Sequence, residues 1–251
     1  MKQVMLSKRL QMLADMVSEG KCLVDVGCDH GFLSIWLVQQ GKCPRALAMD
    51  VRKGPLAAAQ AHVEEVGLGS YIETRLSDGL KAYSAGEADS MVCAGMGGPL
   101  MAKILTDSFE KAKGLKELIL QPQSEIREFR EFLRLNGFRI VAEDAVIDEG
   151  KYYFAMKTVP VSEINICGES VATGGNSVVT DDKTRQLYDT YGEFLLKQKH
   201  PVLEDYLQQR LNYIRKLKQM LEEAGTEKAL ERMGAVREEL EELEAALQFL
   251  G

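Results

Sequence analysis

Four acidic side chains lie at or just after the ends of short apolar runs, a placement that suits recognition of a positively charged ligand. Asp25 lies just before the glycine turn of LVDVGCDHGFL, and Asp29 lies within that turn. Asp50 ends the next apolar run, and Asp78 follows the third. Each run predicts a strand of a parallel sheet. Ligands bind at the carboxyl edge of such sheets, so the acids are expected to face one site.

The chemistry of these strand ends matches the polar groups of S-adenosylmethionine. Asp25 can receive an ammonium group, Asp50 can accept from both ribose hydroxyls, and Asp78 can accept from an exocyclic amine of adenine. Taken singly, each acid also fits a helix cap or an ordinary turn. The combination favours S-adenosylmethionine, and the predicted cofactor-binding residues are Asp25, Gly27, Cys28, Gly31, Asp50, Val51, Ser77, Asp78, Gly79, Gly95 and Met96.

A nicotinamide dinucleotide fits this turn poorly. Its pyrophosphate usually lies on a GxGxxG turn, whereas residues 27–31 read G-C-D-H-G. The negative charge of Asp29 would repel phosphates. Other classes of protein stay open from the residues alone: a methyltransferase acting on a small molecule or protein, a non-catalytic RNA-binding module, and, disfavoured by this turn, a nicotinamide oxidoreductase.

Alternating strand and helix patterns position these turns. Strands are predicted at 22–27, 45–50, 71–76, 89–95 and 117–122, with helices at 31–41, 53–67, 98–112 and 124–136. Residues 138–159 then carry two β-like runs around a turn at 148–151, without an intervening helix. The predicted fold class is therefore α/β: a Rossmann-like class I methyltransferase fold with a mostly parallel seven-stranded sheet and a terminal antiparallel strand.

The chain divides by pattern into a methyltransferase domain at 1–160, a linker at 161–181 and a helical domain at 182–251. The last domain has a first helix at about 182–198 and then two runs of apolar residues at three- and four-residue steps, separated by Gly225 and Thr226. This pattern predicts a C-terminal α-helical coiled-coil hairpin. The apolar stripes are Leu203, Leu207, Arg210, Ile214, Leu217 and Leu221, and Met233, Val236, Leu240, Leu243, Leu247 and Leu250.

Composition limits the classes of protein that fit. The net charge is −7, and no apolar run approaches the ~20 residues that span a bilayer. The N-terminus has the pattern of an amphipathic helix, not a signal peptide, so a cytoplasmic protein without membrane contact is expected. No metal is expected, because the three histidines and five cysteines show no ligand spacing. The oligomeric state stays open, with a monomer as one option.

Five motifs occur together and in order: VDVGCDHGFL (24–33), AMDVxxGPL (48–56), RLSDGL (75–80), GMGG (95–98) and LILQPQ (118–123). So arranged, they resemble the bacterial tRNA adenine-N1-methyltransferase family that acts on adenine 22 of tRNA (the TrmK family). The resemblance covers essentially the whole chain. It implies S-adenosylmethionine as cofactor and tRNA as partner.

The resemblance also implies where the target adenine lies, namely near Asp29, the loop at 95–98 and the turn at 121–123. Methylation of N1 places positive charge on the purine, and we expect Asp29 to stabilise it. His30 would orient Asp29 or touch RNA, and Gln123 or the Gln121 carbonyl would hold the amine of the base. The predicted catalytic residues are Asp29, His30, Gln121, Pro122 and Gln123.

Basic side chains concentrate in the first two C-terminal helices, while the last helix is acidic. A folded RNA needs phosphate contacts beyond a catalytic pocket, so we expect this basic surface to grip the tRNA. A solvated helix surface or a dimerisation zipper are the alternatives. The predicted substrate-binding residues are Lys8, Arg9, Gly97, Gly98, Lys197, Lys199, Arg215 and Lys216.

Overall fold

The computed structural model describes residues 3–161 and 181–251 of the chain. Contacts divide the chain into two units, Met1–Val179 and Thr180–Gly251. Apart from its first and last positions, the predicted linker at 161–181 lies outside the described residues, as does Cys167.

Seven strands form one sheet in the first unit. They are β1 (Leu23–Val26), β2 (Ala46–Asp50), β3 (Ile72–Leu76), β4 (Ser90–Met96), β5 (Glu117–Pro122), β6 (Phe138–Asp148) and β7 (Lys151–Pro160). The order across the sheet is β3-β2-β1-β4-β5-β7-β6. Strands β1 to β5 pair in parallel, whereas β7 pairs antiparallel with both β5 and β6. The predicted fold class is confirmed.

Helices cover both faces of this sheet. They are α1 (Lys8–Met16), α2 (Phe32–Gln39), α3 (Lys53–Glu65), α4 (Gly98–Asp107), α5 (Phe109–Lys113) and α6 (Ile126–Leu135). The sheet has a buried apolar cluster on each side, because successive strand residues such as Leu23 and Val24 point to opposite faces. The prediction of a single helix at 98–112 is wrong, because Ser108, with φ −132°, separates α4 from α5.

The end of helix α1 is tied to the sheet by a buried carboxylate. Glu117 accepts hydrogen bonds from the backbone N (2.8 Å) and hydroxyl (2.6 Å) of Ser18, and from the Ser90 hydroxyl (2.6 Å). The Lys157 ammonium lies 2.8 Å from the same carboxylate. Burial alone would raise the pKa of Glu117, but these donors outweigh it and the pKa is lowered. The network fixes the helix that carries Arg9.

The second unit is helical. Its elements are α7 (Asp182–Tyr191), α8 (Glu193–Lys197), α9 (Pro201–Ala224) and α10 (Glu227–Leu250). Gly225 (φ +56°) ends α9, and the Thr226 hydroxyl caps α10, so the two long helices form a hairpin. The helix predicted at 182–198 breaks at Gly192, where φ is +94°.

The buried stripe of α9 differs by one position from the predicted stripe. Leu211 is buried where the pattern placed Arg210, and Arg210 instead pairs with Glu239 of α10. The reason is that a straight helix of 3.6 residues per turn drifts relative to a strict heptad. The side chain one position later therefore faces the partner helix.

Candidate active site

A cleft of about 630 Å³ lies at the carboxyl ends of the parallel strands. It is lined by turns that follow β1, β2, β3 and β4, together with part of α1 and α4. Residues predicted to act in cofactor binding, catalysis or substrate binding make up most of its wall: Arg9, Asp25, Gly27, Cys28, Asp29, His30, Asp50, Val51, Ser77, Asp78, Gly79, Gly95, Met96 and Gln123.

The turn after β1 lines the cleft and has a glycine at each end. Gly27 has φ +77°, and a Cβ built there would lie 2.2 Å from the Met96 methyl carbon. The backbone N–H groups of Gly27 and Cys28 both donate to the Met49 carbonyl of β2, at 2.8 and 2.9 Å. Gly31 (φ +74°) precedes α2, and a Cβ built there would lie 3.1 Å from the Cβ of Ala59 in α3. Glycine is thus favoured at 27 and 31 by the positive φ of both positions, and at 31 also by the close approach of α3.

Asp50 is a buried carboxylate that joins two turns. It accepts from the backbone N of Arg52 at 2.8 Å and from the backbone N of Asp29 at 3.3 Å. The Arg52 guanidinium lies 3.6 Å from it. One hydrogen bond falls on each oxygen, so each retains a lone pair for a further donor in the cleft.

Asp25 is buried next to the same glycine turn. The Ser34 hydroxyl donates to it at 2.8 Å. Burial is the largest cause of the shift and raises the pKa of Asp25, the Ser34 hydrogen bond lowers it, and the charge of Asp50 raises it; together they bring the pKa to about 6. A carboxyl group in this state is suited to receive a cation, because a positive partner would offset the cost of its burial.

Asp29 lies at the mouth of the cleft in the left-handed region, with φ +50°. Its side chain is 60% exposed, with the His30 Nε2 at 3.9 Å and the Arg52 guanidinium at 3.7 Å. The His30 ring stacks on Phe32 with centroids 5.8 Å apart, and Phe32 stacks on His62 at 4.8 Å. The carboxylate therefore faces solvent beside aromatic rings, where a planar ligand has access to both.

The turn after β3 forms another wall. The Ser77 hydroxyl donates to the Gly79 carbonyl at 2.7 Å, and a Cβ on Gly79 (φ +58°) would lie 2.9 Å from the Ile104 side chain. Asp78 is exposed and hydrogen-bonded to Lys81, which lowers the pKa of Asp78. Asp78 thus stays ionised at the rim, although part of its hydrogen-bonding capacity is used.

The loop after β4 and the turn after β5 pack on each other. A Cβ on Gly98 would lie 2.8 Å from the carbonyls of Ser124 and Glu125, and one on Gly97 would lie 2.9 Å from the Ser124 hydroxyl. Gly97 and Gly98 are therefore explained by these close contacts with Ser124 and Glu125. They do not line the cleft, and neither do Gln121 and Pro122, whereas Gln123 and Gly95 do.

Sequence reasoning missed several lining residues. Leu100 and Ile104 of α4 form an apolar side of the cleft, and Leu100 is 49% exposed. Arg52 and Phe32 also line it. The spacing of Leu100 and Ile104, one helical turn apart after the GMGG loop, is the signal from which the apolar wall was predictable.

The predicted basic residues of the second unit differ in their partners. Lys197 pairs with Glu193, and Arg215 lies 2.9 Å from Glu244. Lys199 donates to the main-chain oxygen of Gly251 at 3.1 Å. Lys216 is exposed and has no carboxylate partner among the described residues. Of these four charges, that of Lys216 is thus the most available for a polyanion.

Within 3–161 and 181–251, no group of three or more His, Cys, Asp or Glu side chains could hold a metal ion. In the same ranges no helix combines the length and apolarity needed to cross a membrane. Cys28, Cys43 and Cys93 are buried free thiols, and Cys22 is half-buried.

The sheet order, the terminal β6–β7 hairpin and the acidic cleft define the class of protein as a Rossmann-like methyltransferase. Residues 6–156 match the family described as "Methyltransferase domain". A Bacillus subtilis protein named tRNA (adenine(22)-N(1))-methyltransferase is 31% identical over 248 residues, which cover 98% of this chain and 99% of the relative.

Solved structures agree with this similarity over the full length. The crystal structure of the B. subtilis m1A22 tRNA methyltransferase TrmK is 28% identical, with a TM-score of 0.78 and coverage of 97% of this chain and 99% of that one. A Streptococcus pneumoniae protein in complex with S-adenosyl-L-methionine is 31% identical, with a TM-score of 0.78 and coverage of 97% and 100%. The chain belongs to the tRNA (adenine(22)-N(1))-methyltransferase family, as its motifs predicted.

Proposed function

We propose that this protein transfers a methyl group from S-adenosylmethionine to N1 of adenine 22 in tRNA. The observation that carries the proposal is the acidic cleft, built at successive strand ends of a chain that is similar over its full length to an adenine-22 methyltransferase. A nicotinamide oxidoreductase is disfavoured, because the cleft gathers carboxylates where a pyrophosphate would lie.

The residues of the cleft fit S-adenosylmethionine, which supplies an electrophilic methyl group on a cationic sulfonium. Asp25 binds the ammonium group, and this role agrees with the raised pKa of its buried carboxyl. Asp50 accepts from the ribose hydroxyls with its remaining lone pairs. Asp78 accepts from the adenine amine, while Leu100 and Ile104 pack on the purine.

The rim of the cleft acts on the target base. Adenine N1 is neutral and carries its own lone pair, so the protein's main tasks are positioning and charge stabilisation. Asp29 places a negative charge where the base becomes cationic, and it can take a proton from the exocyclic amine. His30 orients Asp29, and Gln123 holds the base through its amide.

The proposed function is tested by incubating the protein with isotope-labelled S-adenosylmethionine and unmodified tRNA. Nucleoside mass spectrometry should detect N1-methyladenosine, and a tRNA with guanosine at position 22 should give none. Methylation of another atom, or equal methylation of both RNAs, would reject the assignment. A small-molecule or protein substrate would be indicated if tRNA accepts no label while the cofactor binds.

The raised pKa of Asp25 predicts that cofactor affinity depends on pH. The ammonium group favours the ionised carboxylate, so affinity should rise as pH increases through about 6. From pH 5 to pH 7 the gain should be about tenfold, since ionisation of one group with that pKa changes by this factor. Isothermal titration calorimetry measures it. Asp25→Asn should bind more weakly at pH 7 and lose the dependence; a retained dependence would assign it to another group.

The helical hairpin predicts a difference between two single variants. Lys216→Gln should weaken tRNA binding and reduce the slope of log affinity against log salt by about 1, because each phosphate contact contributes about 1. The matched variant Arg215→Gln should change the slope by less, because the charge of Arg215 is paired with Glu244. Equal slopes in both variants and the wild type would remove the hairpin from tRNA binding.

A further inference from the structure

Arg9 of helix α1 places a guanidinium group in the cleft wall. Its Nη1 donates to the Gln121 side-chain oxygen at 3.2 Å, and its guanidinium carbon lies 5.4 Å from the centre of the Tyr153 ring. The same Nη1 would lie 3.2 Å from a Cβ built on Gly95. The guanidinium is therefore held from β5 and β7 and borders the glycine loop after β4.

The Arg9 guanidinium differs from the other arginine of the cleft wall in having no carboxylate as a direct partner among the described residues. The other arginine of the wall, Arg52, lies within 4 Å of both Asp29 and Asp50. The Arg9 guanidinium has only the neutral Gln121 and Tyr153 as direct partners among the described residues. Asp148 contributes nearby negative charge, but its carboxylate accepts from the backbone N of Arg9, at 3.1 Å. A guanidinium held by neutral groups keeps its capacity to bind an anion.

Gln121 is built to hold Arg9 and not to reach a ligand. Its side chain is 1% exposed and does not line the cleft. Both ends of its amide are used, since the oxygen accepts from Arg9 and the nitrogen donates to the Pro122 carbonyl at 3.1 Å. Gln121 is accordingly a positioning residue. The cleft amide that remains available to a base belongs to Gln123.

The reaction itself decides which part of the substrate Arg9 can bind. Transfer of a methyl group to N1 leaves the purine cationic, so a guanidinium beside the ring would oppose the reaction. The remaining charged parts of a nucleotide are its backbone phosphates, which match the fork of an arginine. We propose that Arg9, held by Gln121 and Tyr153, binds a backbone phosphate next to the target adenosine and so fixes the nucleotide in the cleft.

This inference rests on the proposed tRNA methylation and is tested by a cycle in which the protein and the RNA are changed separately. Arg9→Gln should lower kcat/KM for tRNA by about tenfold to a hundredfold, the usual effect of losing a charged hydrogen bond. With the wild-type protein, a neutral methylphosphonate in place of the phosphate 5′ or 3′ of the target adenosine should lower kcat/KM by a similar factor. At one of the two positions, the neutral linkage should lower the kcat/KM of Arg9→Gln by less than about twofold, because the arginine charge that would bind that phosphate is already absent.

Further variants separate binding from folding. Gln121→Leu, which removes the hold on Arg9, should reproduce part of the loss, whereas Arg139→Gln, at the exposed start of β6, should not change kcat/KM. S-adenosylmethionine affinity and the melting temperature of Arg9→Gln should equal those of the wild type.

The proposal is overturned if Arg9→Gln keeps full activity. It is also overturned if each neutral linkage lowers the kcat/KM of Arg9→Gln by the same factor as that of the wild type, because the arginine and the phosphate would then act independently. Loss of cofactor binding or folding in Arg9→Gln would also overturn it, because the arginine would then support the cleft itself. A wild-type enzyme that does not methylate unmodified tRNA would instead reject the proposed function.

Discussion

Asp29→Asn is expected to lower turnover by about a hundredfold while S-adenosylmethionine affinity changes by less than about threefold, since removing one group that stabilises transition-state charge costs this much. Asparagine is the conservative replacement because it tolerates the left-handed backbone that Asp29 adopts at φ +50°. The backbone N–H that Asp29 donates to Asp50 is unchanged by the substitution. The variant therefore removes the charge at the mouth and leaves the turn intact.

Single-turnover methylation and calorimetry with S-adenosylmethionine separate the two effects. Asp15→Asn, in helix α1 with its side chain bonded to Gln11, is a matched control that should behave as the wild type. His30→Gln should give a smaller loss of turnover if His30 acts through Asp29. Full activity of Asp29→Asn would exclude a catalytic role, and an equal loss of cofactor affinity would move Asp29 into the cofactor site.

Asp50→Asn is expected to weaken S-adenosylmethionine binding by about a hundredfold, because hydrogen bonds from two ribose hydroxyls lose a charged acceptor. The native carboxylate accepts two backbone N–H groups, from Asp29 and Arg52. An amide presents only one acceptor atom, so one of these donors or one hydroxyl would lose its partner. The free energy of unfolding should also fall, by about 1–3 kcal/mol, the cost of an unsatisfied buried donor.

Calorimetry with the cofactor and urea unfolding measure these two changes on the same protein. Asp107→Asn, at the end of α4 and paired with Lys103, is the matched control and should alter neither. Lower stability with unchanged cofactor affinity would mean that Asp50 only stabilises the two turns and does not bind the cofactor. Weaker binding with unchanged stability would mean that its lone pairs serve the ligand alone.

Local patterns made much of the backbone around the cleft predictable. The glycines at 27 and 79 adopt positive φ, as a tight turn requires, and Asp50 ends its strand as the apolar run indicated. Such features depend on neighbours in sequence, so the sequence carries them directly. The order of the motifs added the family, which composition alone did not distinguish from other α/β proteins.

The sequence by itself determined the strands, most of the helices, the strand-end acids and the family, because these follow from short-range pattern. Tertiary structure alone decided that Arg9 meets Gln121 across 112 positions of chain, and that Gln121 is buried and does not line the cleft. It also decided that Arg215 is paired across the hairpin with Glu244 while Lys216 is not. These contacts form because packed helices and strands bring together side chains that are far apart in sequence, and the periodicity of the chain does not encode such pairings.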